Sequence, residues 1–510
     1  MQWLNKIVDD AIAQHPEGEI VTSSGVSPSG KYHLGTLREV LTAEVIMQAL
    51  RARGRDSRHI HVVDDFDVFR KVPAGIPEDF KNYLGKPLYQ VPAPDGSSGS
   101  YADFYLADLL TGAEKLRLEM EVMRSHEKYG QGFFTEAIEK TLTNLPAVRK
   151  ILEDISGRKL DEQWSPIQIM EEGYLKTRPF VSIDTSAKTI RYLDSHGQEQ
   201  VIGYQNGEVK LNWRIDWPAR WWLLNVAVEP FGRDHATKGG SYDTGARIVR
   251  DVFGAPPPLP VPYHFINRVG ETKKMSKSAG DTVTLAELLQ LMPAEIVWYF
   301  LLRFPPEKQL FFDEGMGMVR LFDEFGALLS KPDKTEAEQQ LLDMSLRGST
   351  EQVISSIPFS HLVASYQAAL KNPDKTLEII KRTEHAETVE QQEDVIKKEL
   401  VFIEHWLNTK APEEIKFSLA DNVDPAEFSD EQKNYLSRLA DEIESAPDDA
   451  DGEWFHKAIY KFKEEDELSP QQLFGPLYRA LIGKEAGPRA GWFLSILPRD
   501  WLIKRLRFEA

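Results

Sequence analysis

The chain has 510 residues, enough for about two to four domains that each bury a core of their own. With 41% hydrophobic and 28% charged residues, 11 Trp and 25 Phe, it is not a disordered chain, and the absence of cysteine excludes disulfide frameworks, thiol nucleophiles and thiolate zinc sites. Eighty acidic against 61 basic residues leave a net charge of −19, which taken alone opposes a polyanionic partner.

Residues 1–14 read as an amphipathic helix without the basic-then-apolar layout of a signal peptide, and no 18-residue apolar run occurs. A cytoplasmic protein with no membrane span is therefore expected, which the lack of thiols fits; a monomer is the expected state. Residues 20–22, 23–34, 36–53 and 59–63 predict strand, Gly-rich turn, helix and strand, the unit of a doubly wound parallel sheet. A Pro- and Gly-rich stretch over residues 73–100 precedes a helical stretch around residues 104–123. Short β-like runs at 180–183, 189–193 and 200–204 alternate with turn signals at Ser195-His196-Gly197 and Asn206-Gly207, which predicts a small β-rich insertion. Residues 221–229 predict a strand and 242–253 a helix; from about Ala286 onward the pattern is helical, with no strand after residues 310–312. The expected organisation is the first part of an α/β domain (1–150), the β-rich insertion (151–210), the second part of the α/β domain (211–285), a linking region (286–340) and an all-helical domain (341–510).

Two segments carry chemistry. Residues 23–36, Ser-Ser-Gly-Val-Ser-Pro-Ser-Gly-Lys-Tyr-His-Leu-Gly-Thr, lie between a predicted strand and a predicted helix. Glycine lets backbone approach a ligand closely, and the first N–H groups of a helix attract an anion, so Ser29, His33, Gly35 and Thr36 are candidate contacts to a polyphosphate. Residues 273–281, Lys-Lys-Met-Ser-Lys-Ser-Ala-Gly-Asp, precede a helix whose expected cap is Thr284. Lys274 and Lys277, with Ser276, suit a clamp that follows charge onto a leaving polyphosphate. Either segment alone is a common turn or a solvated basic loop. Together they resemble the paired signatures of the class I aminoacyl-tRNA synthetases, His-x-Gly-His and Lys-Met-Ser-Lys-Ser, with Thr36 standing where many members carry the second His.

Further segments at 25–39, 63–73, 213–221, 229–235, 239–245, 302–308 and 312–315 resemble one subgroup, the class I lysyl-tRNA synthetases; residues 481–490 look like the helical cage shared with glutamyl-type enzymes. The resemblance implies a Rossmann-like doubly wound parallel sheet of the class I synthetase type followed by an all-helical anticodon-binding cage. It also implies ATP with Mg²⁺, L-lysine and tRNA(Lys) as the reacting partners, and an amino-acid pocket with Gly25, Ser27, Trp213 and His235. The side chains suit that chemistry, since lysine needs an anion for its ammonium and an apolar wall for its stem. Asp64, Asp65 and Asp67 end a predicted strand, where open α/β sheets bind ligands, and Trp213 offers a flat wall or a cation–π face. A single Asp at a strand end serves as readily as a structural ion-pair partner. Gly232 and Asp234, after the next predicted strand, are candidate contacts to a ribose, and Gly239 to the adenosine.

Some members of this family carry Cys/His zinc sites where this chain reads Pro-Ala-Pro-Asp-Gly-Ser-Ser-Gly-Ser-Tyr (92–101) and Trp-Ser-Pro-Ile-Gln-Ile-Met-Glu-Glu-Gly (164–173). With no thiolate and no local His pair, no structural zinc is expected, and packing and hairpin contacts should take its place. For tRNA, residues 471–510 hold seven basic and three acidic side chains, with Trp492, Phe493, Trp501 and Phe508 among them. Arg479, Arg489, Lys504 and Arg505 are the candidate RNA contacts. A glutamyl-type synthetase would want a basic residue where the aspartates sit, and a noncatalytic tRNA-binding paralogue would have little use for an intact lysine loop.

Overall fold

A computed structural model describes residues 1–270, 283–448, 450–466 and 468–509. The chain forms two compact units, one of residues 1–289, 297–312 and 335–347, the other of 290–296, 313–334 and 348–510. No single helix among the described residues is long and apolar enough to cross a membrane.

The first unit is built on five parallel strands in the spatial order Leu259–Tyr263, Val226–Gly232, Ile20–Val26, Ser57–Val63, Glu121–Arg124. The first strand in sequence is central, and the chain winds outward from it in both directions, so the strand order reverses beside Ile20–Val26. Such a reversal opens a crevice at the carboxyl ends of the strands. Val226–Gly232 is buried along its whole length, as a strand covered on both faces requires.

Two predicted elements differ from those found. The stretch around residues 104–123 is a helix, Tyr101–Lys115, followed by the edge strand Glu121–Arg124. A Ser100–Asp103 capping box starts the helix, and Arg117 at φ 53° turns the chain out of it. Residues 221–223, read as the start of a strand, close the helix Trp213–Leu223 instead; Asn212 caps it, and Asn225 at φ 50° makes the turn into Val226–Gly232.

The insertion forms two antiparallel three-stranded sheets, Tyr174–Thr177, Ile167–Glu171, Val209–Leu211 and Phe180–Asp184, Thr189–Leu193, Glu199–Gly203. In segment 92–101, Asp95 accepts from the backbone and hydroxyl of Ser97 (3.0 and 2.6 Å) and Pro92 bridges Ser100. Beside segment 164–173, the Arg149 guanidinium lies 5.6 Å from the centre of the Trp164 ring and donates to the Asp161 carbonyl at 2.8 Å.

The second unit is helical. Asp430–Glu444, Gly452–Glu465, Pro470–Ile482, Ala490–Ile496 and Arg499–Leu506 surround a core that includes Leu436, Leu439, Ile459, Leu473, Leu477 and Phe493.

Candidate active site

Two adjoining cavities lie at the carboxyl ends of Ile20–Val26 and its neighbours, where the strand order reverses. The larger, about 500 Å³, is lined by Ser29, His33, Gly35, Thr36, Tyr263 and Phe265 among others; the smaller, about 340 Å³, by Gly25, Asp64, Trp213, Trp217, Glu229 and His235 among others. Val26, Ser27, Glu39, Asp67 and Arg70 line both, so the two are lobes of one site.

The larger lobe is organised by His33, the N-cap of helix Leu34–Ala52. Its Nδ1 accepts from the backbone N–H groups of Gly35 (3.0 Å) and Thr36 (3.3 Å). That bond assigns the neutral tautomer and leaves the proton on Nε2. Gly35 is required by the same contact, because a Cβ there would lie 2.9 Å from the imidazole Cε1. Segment Val283–Leu285 is stitched to this turn: Leu34 N–H donates to the Val283 carbonyl (3.2 Å), Leu285 N–H to the Tyr32 carbonyl (3.3 Å). Thr284 caps helix Leu285–Leu291 by accepting from Glu287 N–H at 3.2 Å, as its sequence position predicts. Lys274, Ser276 and Lys277 lie outside the described residues. Arg38, further along the helix, is buried and donates to the carbonyls of His264 and Lys308 (2.7 Å to the latter), and burial lowers it to about 10.

In the smaller lobe the structure brings together Gly25, Ser27, Asp64, Trp213 and His235, with the Trp213 and His235 rings edge-to-face at 6.1 Å. Asp65 is a correction. Its side chain is fully buried, takes Arg124 Nε at 2.7 Å, His126 Nδ1 at 2.6 Å and His126 N–H at 2.9 Å, and lines neither lobe. Alternation at the end of Ser57–Val63 turns one aspartate toward the lobe and the next away from it. Asp64 reaches the lobe but is half of a buried ion-pair cluster: Lys210 lies at 3.3 Å and Arg220 at 2.8 Å, and Arg220 also pairs with Asp216. Burial alone would raise Asp64, but Lys210 and Arg220 together hold it well below the usual carboxylate range.

Two carboxylates escaped the sequence reading. Glu39, five residues into the capped helix, accepts from Gly25 N–H (2.8 Å) and the Tyr263 hydroxyl (2.7 Å). Glu229, on Val226–Gly232, accepts from the indole N–H groups of Trp217 (2.9 Å) and Trp221. Its only sequence signal was a charge inside an otherwise apolar strand.

Gly232 and Asp234 stand at the end of the same strand but line neither lobe; a Cβ at Gly232 would lie 2.6 Å from the Asp234 carboxylate. Gly239, at φ +75°, lies before helix Ser241–Ile248. In the helical unit, Arg489 and Lys504 are exposed, and Arg489 lines a cavity of about 760 Å³ with Trp492 and His361. Arg505 is a second correction: it is buried and donates to the Ala420 carbonyl at 2.6 Å, which closes the fold rather than facing RNA. Arg479 lies over the Phe428 ring at 5.1 Å and pairs with Glu485.

The family model described as "tRNA synthetases class I (K)" matches residues 1–349, and that described as "Anticodon binding domain" matches residues 371–509. The chain is similar to lysine–tRNA ligase 1 of Methanosarcina acetivorans, 35% identical with 99% of this chain and 98% of that protein covered. It is likewise similar to the lysine–tRNA ligase of Archaeoglobus fulgidus, 35% identical with 99% of each covered. Among solved structures, a glutamate tRNA ligase from Elizabethkingia meningosepticum aligns over 96% of this chain and 98% of that one, at 12% identity and a TM-score of 0.46. With a helix capped by His33 beside an aromatic and acidic pocket, and a family match over residues 1–349, this chain belongs to the class I (K) family of tRNA synthetases.

Proposed function

We propose that this protein is a lysyl-tRNA synthetase. It activates L-lysine with ATP and transfers it to tRNA(Lys). The observation that carries the reading is the two-lobed site: a helix N-terminus and imidazole in the lobe suited to phosphates adjoin a lobe with aromatic walls and several carboxylates, which suits an amino acid ending in an ammonium. The shared walls put the lysine carboxylate next to the nucleotide. In the first step a carboxylate oxygen attacks the α-phosphorus, the bond to the β-phosphate oxygen breaks, and pyrophosphate leaves. The protein's part is positioning and charge neutralisation rather than covalent catalysis. His33 Nε2–H and the positive end of the dipole of helix Leu34–Ala52 face the phosphates, and Lys274 and Lys277 follow the charge onto pyrophosphate. Mg²⁺ would enter with ATP and supply neutralisation of its phosphate charge. In the second step the 2′-OH of the terminal adenosine attacks the mixed anhydride and AMP leaves.

In this reading Gly25, Ser27, Trp213 and His235 hold the amino acid, the ribose and adenine extend past the larger lobe to Gly232, Asp234 and Gly239, and the helical unit holds the anticodon. The structural zinc of some relatives is replaced by the Asp95 turn and the Arg149–Trp164 stack, and the enzyme works as a cytoplasmic monomer. Lysine-dependent ATP–pyrophosphate exchange tests the activity, with glutamate as control; no exchange with lysine sinks it. Lys277→Ala should slow that exchange about 10²-fold or more, the cost of a lost transition-state contact. Exhaustive chelation followed by Mg²⁺ should restore full exchange, and a loss that only zinc repairs would contradict a zinc-free fold.

A further inference from the structure

The lysine carboxylate must face the lobe that holds ATP, so the far end of the smaller lobe receives the side-chain ammonium. Five carboxylates line the smaller lobe; Glu39 and Asp67 are shared with the ATP lobe, which leaves Asp64, Asp216 and Glu229 on the smaller lobe alone. Two of them are already neutralised: Asp64 by Lys210 and Arg220, and Asp216 by Arg220 and the Tyr129 hydroxyl at 2.5 Å. Glu229 differs in kind. The hydrogen-bond partners of its two oxygens are indole N–H groups, which orient the carboxylate without carrying a charge. A carboxylate accepts about four hydrogen bonds, so two indoles leave acceptor capacity for an ammonium.

We propose that Glu229 is the specificity anchor for the lysine ε-ammonium, held in place by Trp217 and Trp221. This rests on lysine being the amino-acid substrate. The indoles fix both oxygens of the carboxylate, and the aromatic wall around it supplies a low-polarity setting in which a charge-assisted bond to the ammonium is strong. Without substrate, the bonds from Trp217 and Trp221 to its two oxygens come from neutral indoles, and the nearby Arg220 is already paired with Asp64 and Asp216. Burial pushes Glu229 up to about 7, against the opposing pull of Trp217, Trp221 and the nearby Arg220. Lysine binding supplies the missing positive charge. A side chain of the same length without the ammonium leaves the carboxylate buried and unmatched, which is how such a site rejects it.

The test uses two analogues as competitors in lysine-dependent pyrophosphate exchange: L-norleucine, which lacks only the ε-ammonium, and 6-aminohexanoate, which lacks only the α-amino group. Glu229→Gln should raise the KM for lysine and the inhibition constant of 6-aminohexanoate by about 30-fold or more, while norleucine inhibition holds or strengthens and the KM for ATP stays within about twofold. Glu229→Asp, which keeps the charge but draws it back by one methylene, should fall between the two. Equal weakening of norleucine and 6-aminohexanoate by Glu229→Gln places Glu229 at the α-amino end or in a purely structural role and overturns the proposal, as does an unchanged lysine KM. If Glu229→Gln does not fold, the Glu229→Asp series decides alone by the same split between analogues. Absence of exchange with lysine in the unaltered protein rejects the activity itself rather than the role of Glu229.

Discussion

His33 performs separate tasks with its two nitrogens, and they can be separated by substitution. Nδ1 caps the helix through Gly35 and Thr36, and in the proposed reaction Nε2–H is the donor to phosphate. Asparagine can supply the capping acceptor but not the imidazole donor, whereas alanine supplies neither. His33→Asn should therefore keep the melting temperature near that of the unaltered protein while slowing pyrophosphate exchange about 10²-fold. His33→Ala should lose a similar rate and about 1 kcal/mol of stability as well. An equal loss of stability in both would show that the cap does not depend on Nδ1. This site was legible in sequence because its constraint is local: a His, a Gly two residues on and a helix start. The aspartates after Ser57–Val63 were not. Which one reaches the pocket depends on Arg124, His126, Lys210 and Arg220, all at least 59 residues away, and no local pattern encodes those partners.

At the scale of elements, the doubly wound sheet was readable because strand, turn, helix and strand follow each other at short range near the N-terminus. The helix Trp213–Leu223 was harder. Its run of Trp residues has the composition of a strand, and Pro218 inside it discourages a helical reading; burial of Ile215, Pro218, Ala219 and Trp221 overrides both. In the helical unit, periodicity marked the helices but hid a buried acid. Glu399, on Ala386–Thr409, is 1% exposed and accepts from Ser355 N–H at 2.8 Å. Burial raises it to about 7; the Ser355 bonds oppose the rise, and Asp323 nearby adds to it. The folded state thus holds a proton that the unfolded chain releases near the ordinary Glu value. That favourable contribution is fully present below about pH 4.5 and is lost as pH rises through about 7. Glu399→Gln keeps an acceptor for Ser355 and removes the titration. It should stabilise the helical unit at pH 8 by on the order of 3 kcal/mol, with little change at pH 4.5, in thermal melts at the two pH values. A variant equally stable relative to the unaltered protein at both would show that Glu399 is not held protonated.

For the molecule as a whole, the net charge of −19 must coexist with binding of a polyanion. The basic composition of the C-terminal segment does not resolve this, because most of its cations are spent on the fold. Lys484 donates to the Glu413 and Lys416 carbonyls, Arg499 to those of Ala446 and Pro447, and Arg505 to that of Ala420. Arg507 pairs with Asp441 and Glu444, and Arg479 with Glu485. Phe493 is core, and Trp492 donates to His361 at 2.9 Å. Composition counted these charges without showing which of them hold loop carbonyls in the fold. Arg489 and Lys504 stay exposed, so they are the cations of this segment that can neutralise phosphate. The double substitution Arg489→Ala with Lys504→Ala should then weaken tRNA binding and reduce the slope of log affinity against log salt by about 1 to 2, since each released phosphate contact contributes a little under one. Melting temperature should not change. Arg505→Ala should do the reverse, lowering the melting temperature because it uncovers the Ala420 carbonyl, while leaving the salt slope of the folded fraction unchanged. If Arg505→Ala instead flattened the salt slope, the buried arginine would have to swing out to RNA, and the distinction drawn between cations that hold the helices and cations that hold tRNA would fail.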